Sequence, residues 1–319
     1  MECCPQVTRD DVFAAAERIH GAVERTPLIE GEIRGQRIWL KCECLQTGGS
    51  FKLRGATNRL KQLSNEERQR GVVAFSSGNH AQGVAIAAKR LGIPAIIVMP
   101  SDAPRLKIEG TRAQGAEIIF FNRKTESREE IAARLAAEKG SVVVPSYDDP
   151  HIVAGQGTVG LEILEQLEEA GARPPARILV NCGGGGLTSG IALACPEAEV
   201  IPVEPEGWDD MRRSLELGEI VPVGPNPPPT LCDAIQTLKV SPITFGILHA
   251  RGAKGLAVSE EETKAAVRWA WKEHGLVVEP GAAVSLAAVL AGRVEIVPET
   301  VALLSGGNID PALHAELVA

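Results

Sequence analysis

The sequence predicts an α/β fold with doubly wound, mainly parallel sheets arranged in two lobes. Aromatic residues make up only 3% of the chain. The core must therefore consist of Val, Ile, Leu and Ala, which suits parallel strands buried beneath helices. Short apolar runs alternate with amphipathic stretches along nearly the whole chain, as in repeated βαβ units. A chain of 319 residues is long for one compact core and suits two lobes.

The helices and strands can be placed from these patterns. We expect helices over Ala81–Leu91 and Arg128–Lys139, because Gly92 and Gly140 follow them directly and glycine tolerates the left-handed conformation that ends a helix. Residues 222–230 are rich in proline and predict an extended surface loop. The predicted strands are Ile38–Cys42, Val72–Phe75, Ala95–Met99, Glu117–Phe121, Val142–Val144, Arg177–Asn181, Val200–Val203 and Val301–Leu304.

Two polar stretches suggest where the lobes divide. Residues 64–70 are polar, and residues 145–150 carry turn-forming side chains. We therefore expect residues 66–145 to form a smaller domain, and residues 1–65 with 146–319 to form a larger one.

The charge of the chain argues against two classes of partner. The formal net charge is -8 and the sequence pI is near 5.4, without a dense run of Lys and Arg, so nucleic acid is not expected as a partner. The first residues lack the order of a signal peptide. The apolar run Ile96–Met99 is far shorter than the about 20 residues that a membrane span needs. We expect no membrane partner and a cytoplasmic location.

A lysine lies in an unusual setting between a glycine turn and the start of an apolar helix. Lys52 belongs to the stretch Ser50–Gly55, which follows Thr47–Gly49. Burial lowers a lysine pKa, and the neutral amine is a nucleophile toward carbonyl carbon. The alternative is an ordinary exposed lysine, since lysines are usually solvated.

A polar turn follows the strand Val72–Phe75. Its residues Ser76, Ser77, Gly78, Asn79 and His80 occupy the carboxyl end of a predicted parallel strand, where open α/β sheets bind ligands. The helix start that follows offers unpaired N–H groups to an anion. A simple capped turn is the alternative.

A third site is a run of glycines after the strand Arg177–Asn181. Four glycines let the backbone approach a phosphate and direct several N–H groups at it. The spacing fits neither a dinucleotide fingerprint nor a P-loop, so a phosphate monoester is the expected ligand. These residues are Gly183, Gly184, Gly185 and Gly186.

In this order, the motifs SFKLRGA, SSGNHAQG and GGGGLTSG resemble the fold-type-II pyridoxal-phosphate enzymes. The likeness is closest to the threonine/serine dehydratase and serine racemase group, and it extends from about Thr26 to Asn308. The resemblance implies a tryptophan-synthase-β-like fold with the cofactor between the lobes. It also implies that the larger domain binds the cofactor, that the smaller lies on the substrate side, and that the chain forms a homodimer.

The resemblance assigns cofactor-binding roles to individual residues. Lys52 would bond covalently to the cofactor and later act as the base at the substrate α-carbon. Phe51 would lie against the cofactor ring, and Asn79 would bond its phenolic oxygen. Gly183–Gly186 would hold the phosphate. Ser305, after the last strand, matches the residue that faces the pyridine nitrogen.

Further residues would recognise the substrate, a small amino acid. Ser76, Ser77, Asn79 and His80 match the residues that hold its carboxylate. Ser77 also matches a hydroxyl of the racemase-like branch, on the ring face opposite Lys52, which could return a proton to the α-carbon. Arg128 matches an arginine near the substrate side chain in that branch and could bind a second carboxylate, as in 3-hydroxyaspartate. Its alternative is a solvated helix face.

The same branch implies a divalent cation. Glu204 and Asp210, with the backbone carbonyl of Trp208, match its ligands, and oxygen ligands suit Mg²⁺, Ca²⁺ or Mn²⁺. The alternative is an acidic helix start, which the helix dipole favours in any case.

The function expected from these residues is dehydration of a threonine- or serine-type substrate to a 2-keto acid and ammonia. An amino-acid racemase and a dehydratase specific for 3-hydroxyaspartate or another 3-hydroxy amino acid are the close alternatives. A β-replacement synthase and a protein that binds the cofactor without turnover also stay open. Residues 181–182 and 231–239 match the group only loosely, which leaves the substrate unidentified.

Overall fold

The computed structural model describes residues 7–319 except Ser77 and Pro104, and in this part of the chain the strands form a six-stranded and a four-stranded sheet. The larger sheet has the order β1-β2-β10-β7-β8-β9, and the smaller has the order β5-β4-β3-β6. The strands are β1 (Leu28–Ile33), β2 (Gln36–Lys41), β3 (Val72–Phe75), β4 (Ala95–Pro100), β5 (Glu117–Phe121), β6 (Val142–Val143), β7 (Arg177–Asn181), β8 (Glu199–Pro205), β9 (Leu256–Val258) and β10 (Thr300–Leu303).

Helices follow most of the strands, as the βαβ pattern predicted. Both helices placed from the sequence are present, and the first begins two residues earlier than expected. They are α1 (Arg9–Ile19), α2 (Lys52–Lys61), α3 (Asn65–Arg70), α4 (Asn79–Leu91), α5 (Arg105–Ala113), α6 (Arg128–Lys139), α7 (Pro150–Glu169), α8 (Gly186–Ala194), α9 (Asp210–Leu217), α10 (Pro242–Ala250), α11 (Glu260–His274), α12 (Pro280–Leu290) and α13 (Pro311–Val318).

The larger sheet contains two strands that the sequence pattern did not reveal. β1 pairs antiparallel with β2 through a two-residue turn, whose residues Arg34 and Gly35 have φ of 54° and 74°. That geometry usually selects Asn-Gly, so an Arg-Gly pair is a weak signal in sequence. β1 is also interrupted by Gly31, and β9 has only three residues. The other pairings of this sheet are parallel.

The smaller sheet is parallel throughout. Its strands lie between Val72 and Val143, inside the segment expected to form the smaller domain. The domain boundaries themselves stay a prediction. Over the described ranges, no helix is both long and apolar enough to cross a bilayer.

Close contacts between helices hold α4 against α2 and α8 against α7. A Cβ on Gly83 of α4 would lie 3.0 Å from the carbonyl carbon of Lys52, so α4 crosses the first turn of α2 at contact distance. A Cβ on Gly157 of α7 would lie 2.7 Å from the carbonyl oxygen of Gly190 in α8. Only glycine allows such approaches, and they set the positions of the loops that precede these helices.

Candidate active site

The predicted site residues lie where strands of both sheets end and helices begin. β3 leads into α4, β7 leads into α8, and β10 leads to Ser305. The chain before Lys52 joins this region, because Ser50 forms a β-bridge with Gly306 and the Phe51 N–H donates to the Ser305 carbonyl at 3.2 Å. The carboxyl ends of parallel strands thus form one site, as expected for an open α/β sheet.

Lys52 presents a half-buried amine to this site. Its Nζ donates to the Ser146 carbonyl at 3.2 Å and lies 5.0 Å from the centroid of the Phe51 ring. Burial lowers the pKa of Lys52 to about 8, although the Glu279 carboxylate acts in the opposite direction. A substantial fraction of the amine is therefore neutral near physiological pH, which nucleophilic attack and proton abstraction both require.

Asn79 is held between two residues that the sequence analysis did not assign to the site. Its Nδ2 donates to Glu279 Oε1 at 2.5 Å, and its Oδ1 accepts from Asn308 Nδ2 at 2.8 Å. Glu279 is only 1% exposed, and burial, with Asp233 adding to it, raises the pKa of its carboxyl to about 7. The available signal was a carboxylate at the start of the otherwise apolar helix α12.

The His80 side chain offers an acceptor to the site. Burial lowers the pKa of His80 to about 3, with Lys52 contributing, so the imidazole is neutral. Its Nε2 lies 2.9 Å from the Val144 carbonyl and must donate to it, which leaves Nδ1 as an acceptor. A carboxylate needs donors, so the backbone N–H groups at the start of α4 fit it better than this side chain does.

Of the two serines before α4, the structure describes Ser76. Ser76 Oγ accepts from the Gly78 N–H at 3.2 Å, which fixes the turn into the helix. Ser77, which was assigned both a substrate-binding and a proton-transfer role, lies outside the described residues.

The glycine loop leads into a helix start that has no side-chain cap. Gly185 is the N-cap of α8 with φ of 86°. Thr188 Oγ1 is buried and has no hydrogen-bond partner among the residues that the structure describes. The chain's single tyrosine, Tyr147, packs on this loop, and a Cβ on Gly184 would lie 2.3 Å from its ring. Unpaired donors at a glycine-lined helix start are what a phosphate needs.

The Ser305 side chain is oriented by Asn181, one of the residues that match the dehydratase and racemase group only loosely. Asn181 Oδ1 accepts from the Ser285 N–H at 3.3 Å, and Asn181 Nδ2 donates to Ser305 Oγ at 2.9 Å. Because a backbone N–H can only donate, the direction of both bonds is fixed. The Ser305 hydroxyl hydrogen is therefore free to donate to another acceptor.

Arg128 begins α6 at the edge of the site. Its side chain is 41% exposed and its Nε donates to Glu129 Oε1 at 2.8 Å. The guanidinium lies 5.5 Å from the centroid of Phe75, the residue directly before Ser76. The Arg128 charge lowers the pKa of Tyr147, but burial has the larger effect and raises that pKa to about 12. Arg128 thus lies beside the site and is accessible.

Glu204 and Asp210 form a pair of carboxylates at the junction of β8 and α9. Glu204 is buried and accepts from the backbone N–H groups of Met211 and Arg212 at 3.0 and 2.8 Å. Burial raises the pKa of both carboxyls, that of Asp210 to about 7, and Asp210 adds to the effect on Glu204. Within the described ranges, no group of three or more His, Cys, Asp or Glu side chains could hold a metal ion. The Trp208 indole N–H donates to the Pro228 carbonyl at 2.8 Å.

Comparison with known proteins assigns the chain to a family. The family model described as "pyridoxal-phosphate dependent enzyme" matches residues 19–306. The chain belongs to this family. Its tryptophan-synthase-β-like α/β fold, with mainly parallel sheets, is thereby confirmed.

Several known enzymes are similar to nearly the whole of this chain. The L-threo-3-hydroxyaspartate ammonia-lyase of Saccharomyces cerevisiae is 41% identical over 98% of this chain and 96% of its own. The L-threonine ammonia-lyase of Thermotoga maritima is 42% identical over 95% of this chain and 76% of its own. The solved structure of maize serine racemase has a TM-score of 0.90 and 34% identity, covering 97% of this chain and 96% of that one.

The residues present fit the cofactor of a pyridoxal-phosphate dependent enzyme. The uncapped start of α8 and the unpaired Thr188 hydroxyl suit its phosphate. The Lys52 amine, with its lowered pKa, suits the aldehyde, and the Ser305 hydroxyl is free to donate to a ring nitrogen. These groups come from different elements and converge on one region.

Proposed function

We propose that this chain is a pyridoxal-phosphate-dependent ammonia-lyase that converts a small 3-hydroxy amino acid of the threonine/serine type to a 2-keto acid and ammonia. The observation that carries the proposal is the amine of Lys52, with a pKa of about 8, set among the starts of α4 and α8 and Ser305. Two of the similar proteins are named ammonia-lyases of 3-hydroxy amino acids, which supports this choice of reaction.

Each polar group of the site has a part in this reaction. Pyridoxal phosphate, when bound, withdraws electrons from the α-carbon of an amino acid, so that the α-proton can be removed and the β-hydroxyl can leave. Lys52 holds the cofactor and takes the α-proton once its amine is free. The start of α8 and Thr188 hold the phosphate, and the start of α4 holds the substrate carboxylate.

The neutral hydroxyl at the ring nitrogen sets the kind of reaction. Because Asn181 donates to the Ser305 oxygen, the Ser305 hydroxyl would donate a hydrogen bond there. A serine hydroxyl is too weak an acid to transfer its proton to the ring nitrogen. A serine leaves the ring nitrogen largely unprotonated, which makes the cofactor a weaker electron acceptor. That suits a substrate whose β-hydroxyl departs as soon as the α-proton is lost.

Within this class, we propose that Arg128 favours a substrate with a second carboxylate, such as 3-hydroxyaspartate. Its guanidinium is accessible beside Phe75 and Tyr147, and arginine binds carboxylates in two-point contacts. A racemase is the second candidate, favoured by Ser77 in the sequence and by the similarity to maize serine racemase. It would need a proton donor opposite Lys52.

Three further properties belong to the proposal. A divalent cation, Mg²⁺ in the first instance, would bind Glu204 and Asp210, whose buried carboxyls have raised pKa values and would ionise on binding it. The chain would form a homodimer with a division into domains at residues 65/66 and 145/146. The third property is a cytoplasmic location.

A substrate panel tests the reaction. Purified protein with pyridoxal phosphate should form 2-keto acid and ammonia from at least one of D- or L-serine, threonine and 3-hydroxyaspartate. Formation of the opposite enantiomer of the substrate without keto acid would show that the protein is a racemase and not an ammonia-lyase. If the protein binds pyridoxal phosphate but forms neither keto acid nor the opposite enantiomer, it is a cofactor-binding protein without this enzymatic activity.

A further inference from the structure

A line of side-chain hydrogen bonds crosses the site beside Lys52. Asn308 Nδ2 donates to the Gly48 carbonyl and to Asn79 Oδ1, both at 2.8 Å. Asn79 Nδ2 then donates to Glu279 Oε1 at 2.5 Å. The line therefore runs from a backbone carbonyl, through two amides, to a carboxylate.

The ends of this line determine its direction. A backbone carbonyl can only accept, so Asn308 must turn its NH₂ group toward Gly48 and Asn79. An ionised carboxylate can only accept as well, so Asn79 must turn its NH₂ group toward Glu279. Both ends give Asn79 the same orientation, and one hydrogen of its Nδ2 is left over.

The surrounding chain is shaped to fit these two end residues. A Cβ on Gly49 would lie 2.3 Å from Asn308 Oδ1, and a Cβ on Gly306 would lie 2.2 Å from Glu279 Oε1. Any other residue at either position would displace an end of the line. Glu279 occupies the N-cap position of α12, yet its side chain caps no N–H group of that helix and turns to Asn79 instead.

We propose that Glu279 and Asn308 are positioning residues that fix the amide of Asn79, so that Asn79 always presents a donor to the cofactor's phenolic oxygen. The inference rests on the proposed function, in which Asn79 binds that oxygen. A phenolic oxygen that carries negative charge accepts hydrogen bonds, and a reversed amide would place lone pairs against it. Either end alone is enough to prevent the reversal.

The test compares Glu279→Gln, Asn308→Ala and the double variant at pH 8, where the Glu279 carboxyl, with its pKa of about 7, is mainly ionised. In Glu279→Gln the new amide oxygen accepts from Asn79, whose orientation Asn308 still fixes. In Asn308→Ala the carboxylate still fixes it. In the double variant neither end does, because a glutamine can donate or accept.

The measurements are the dissociation constant of pyridoxal phosphate and the absorption maximum of the bound cofactor. We expect each single variant to stay within about threefold of the wild-type constant, and the double variant to bind about tenfold or more weakly, as for loss of a hydrogen bond to a charged acceptor. Only the double variant should show a shifted absorption maximum.

The matched control is Glu299→Gln, which alters a buried carboxylate that contacts Arg37 and Trp39, outside the set of site residues. Single effects that simply add up in the double variant would overturn the inference. An equal loss of binding in the control would overturn it too, because it would indicate general destabilisation. Wild-type protein that binds the cofactor but forms no keto acid would contradict the proposed reaction while leaving this comparison valid.

Discussion

At the scale of single residues, the proposed chemistry depends on one amine, that of Lys52, whose pKa is set by two opposing effects. Burial lowers the pKa of Lys52 to about 8, and the Glu279 carboxylate counteracts part of that shift. An exposed lysine, with a pKa near 10.4, would be almost fully protonated at neutral pH. Burial therefore leaves part of the Lys52 amine neutral at neutral pH, as a base requires.

This balance predicts the pH dependence of turnover. Because the base must be neutral, kcat should rise with pH through a midpoint near 8. Replacing Glu279 with Gln removes the negative charge that raises the pKa of Lys52, so the midpoint should move to lower pH. Steady-state rates from pH 6 to 9.5 for both proteins provide the measurement. A midpoint that moves upward would show that Glu279 does not act on Lys52 in this way.

The proposed role of Arg128 in substrate choice can be tested with one substitution. Arg128→Met should lower kcat/KM for 3-hydroxyaspartate by about 10- to 100-fold, because a charge-assisted contact is lost. The kcat/KM for serine, which has no second carboxylate, should change by less than about threefold. Arg134→Met, an exposed arginine on the same helix, is the control. Equal losses on both substrates would mean that Arg128 does not recognise the second carboxylate.

At the scale of helices and strands, α2 is anchored by a buried group of charges. Arg54 donates to Glu43 Oε2 at 2.8 Å and to Glu162 Oε1 at 2.6 Å, and Lys41 Nζ donates to Glu162 Oε2 at 2.6 Å. The Arg54 and Glu43 side chains are at most 1% exposed. Since Arg54 lies two residues after Lys52, this group ties the start of α2 to β2 and α7.

Removing one charge from this group should be costly. Glu43→Gln leaves Arg54 buried with a weaker partner, and breaking a buried pair on one side typically costs about 3–5 kcal/mol. Glu109→Gln breaks an exposed pair with Arg105 and should cost less than about 1 kcal/mol. Urea unfolding measures both free energies. Similar values for the two variants would contradict the anchoring role of the buried group.

The junction of β8 and α9 is predicted to be stabilised by a cation. In the presence of a chelator and above pH 7, Asp210→Asn should be more stable than wild type, because it removes a carboxyl whose ionised form burial disfavours, raising its pKa to about 7. Mg²⁺ at about 100 times its dissociation constant should then stabilise wild type by about 2.7 kcal/mol and the variant much less. Thermal unfolding with and without Mg²⁺ gives the comparison. If Mg²⁺, Ca²⁺ and Mn²⁺ all leave the thermal unfolding midpoint of wild type unchanged, the proposed cation site is wrong.

At the scale of the whole molecule, the sequence predicted the fold class, most of the strands and two of the helices, because hydrophobic periodicity and glycine-ended helices are local signals. It missed β1 because the Arg34-Gly35 turn and Gly31 do not look like a hairpin, and it missed β9 because three residues carry no pattern. β9 is held by its pairing with β8, which lies in a distant part of the chain.

The candidate site was predicted unevenly for the same reason. Lys52, Asn79 and the glycine loop stand in motifs that can be recognised from sequence. Glu279 does not, since it lies 200 residues from Asn79 along the chain and its position in the site depends on folding. The orienting roles of Asn181 and Asn308 likewise emerge only from hydrogen-bond directions that the sequence does not contain.

The account as a whole requires that the cofactor be bonded to one particular amine. Borohydride reduction of protein loaded with pyridoxal phosphate, followed by digestion and mass analysis, should place the reduced cofactor on Lys52. The Lys52→Ala protein should remain colourless under the same loading. A reduced cofactor found on another lysine, with residue 52 unmodified, would contradict the proposed chemistry.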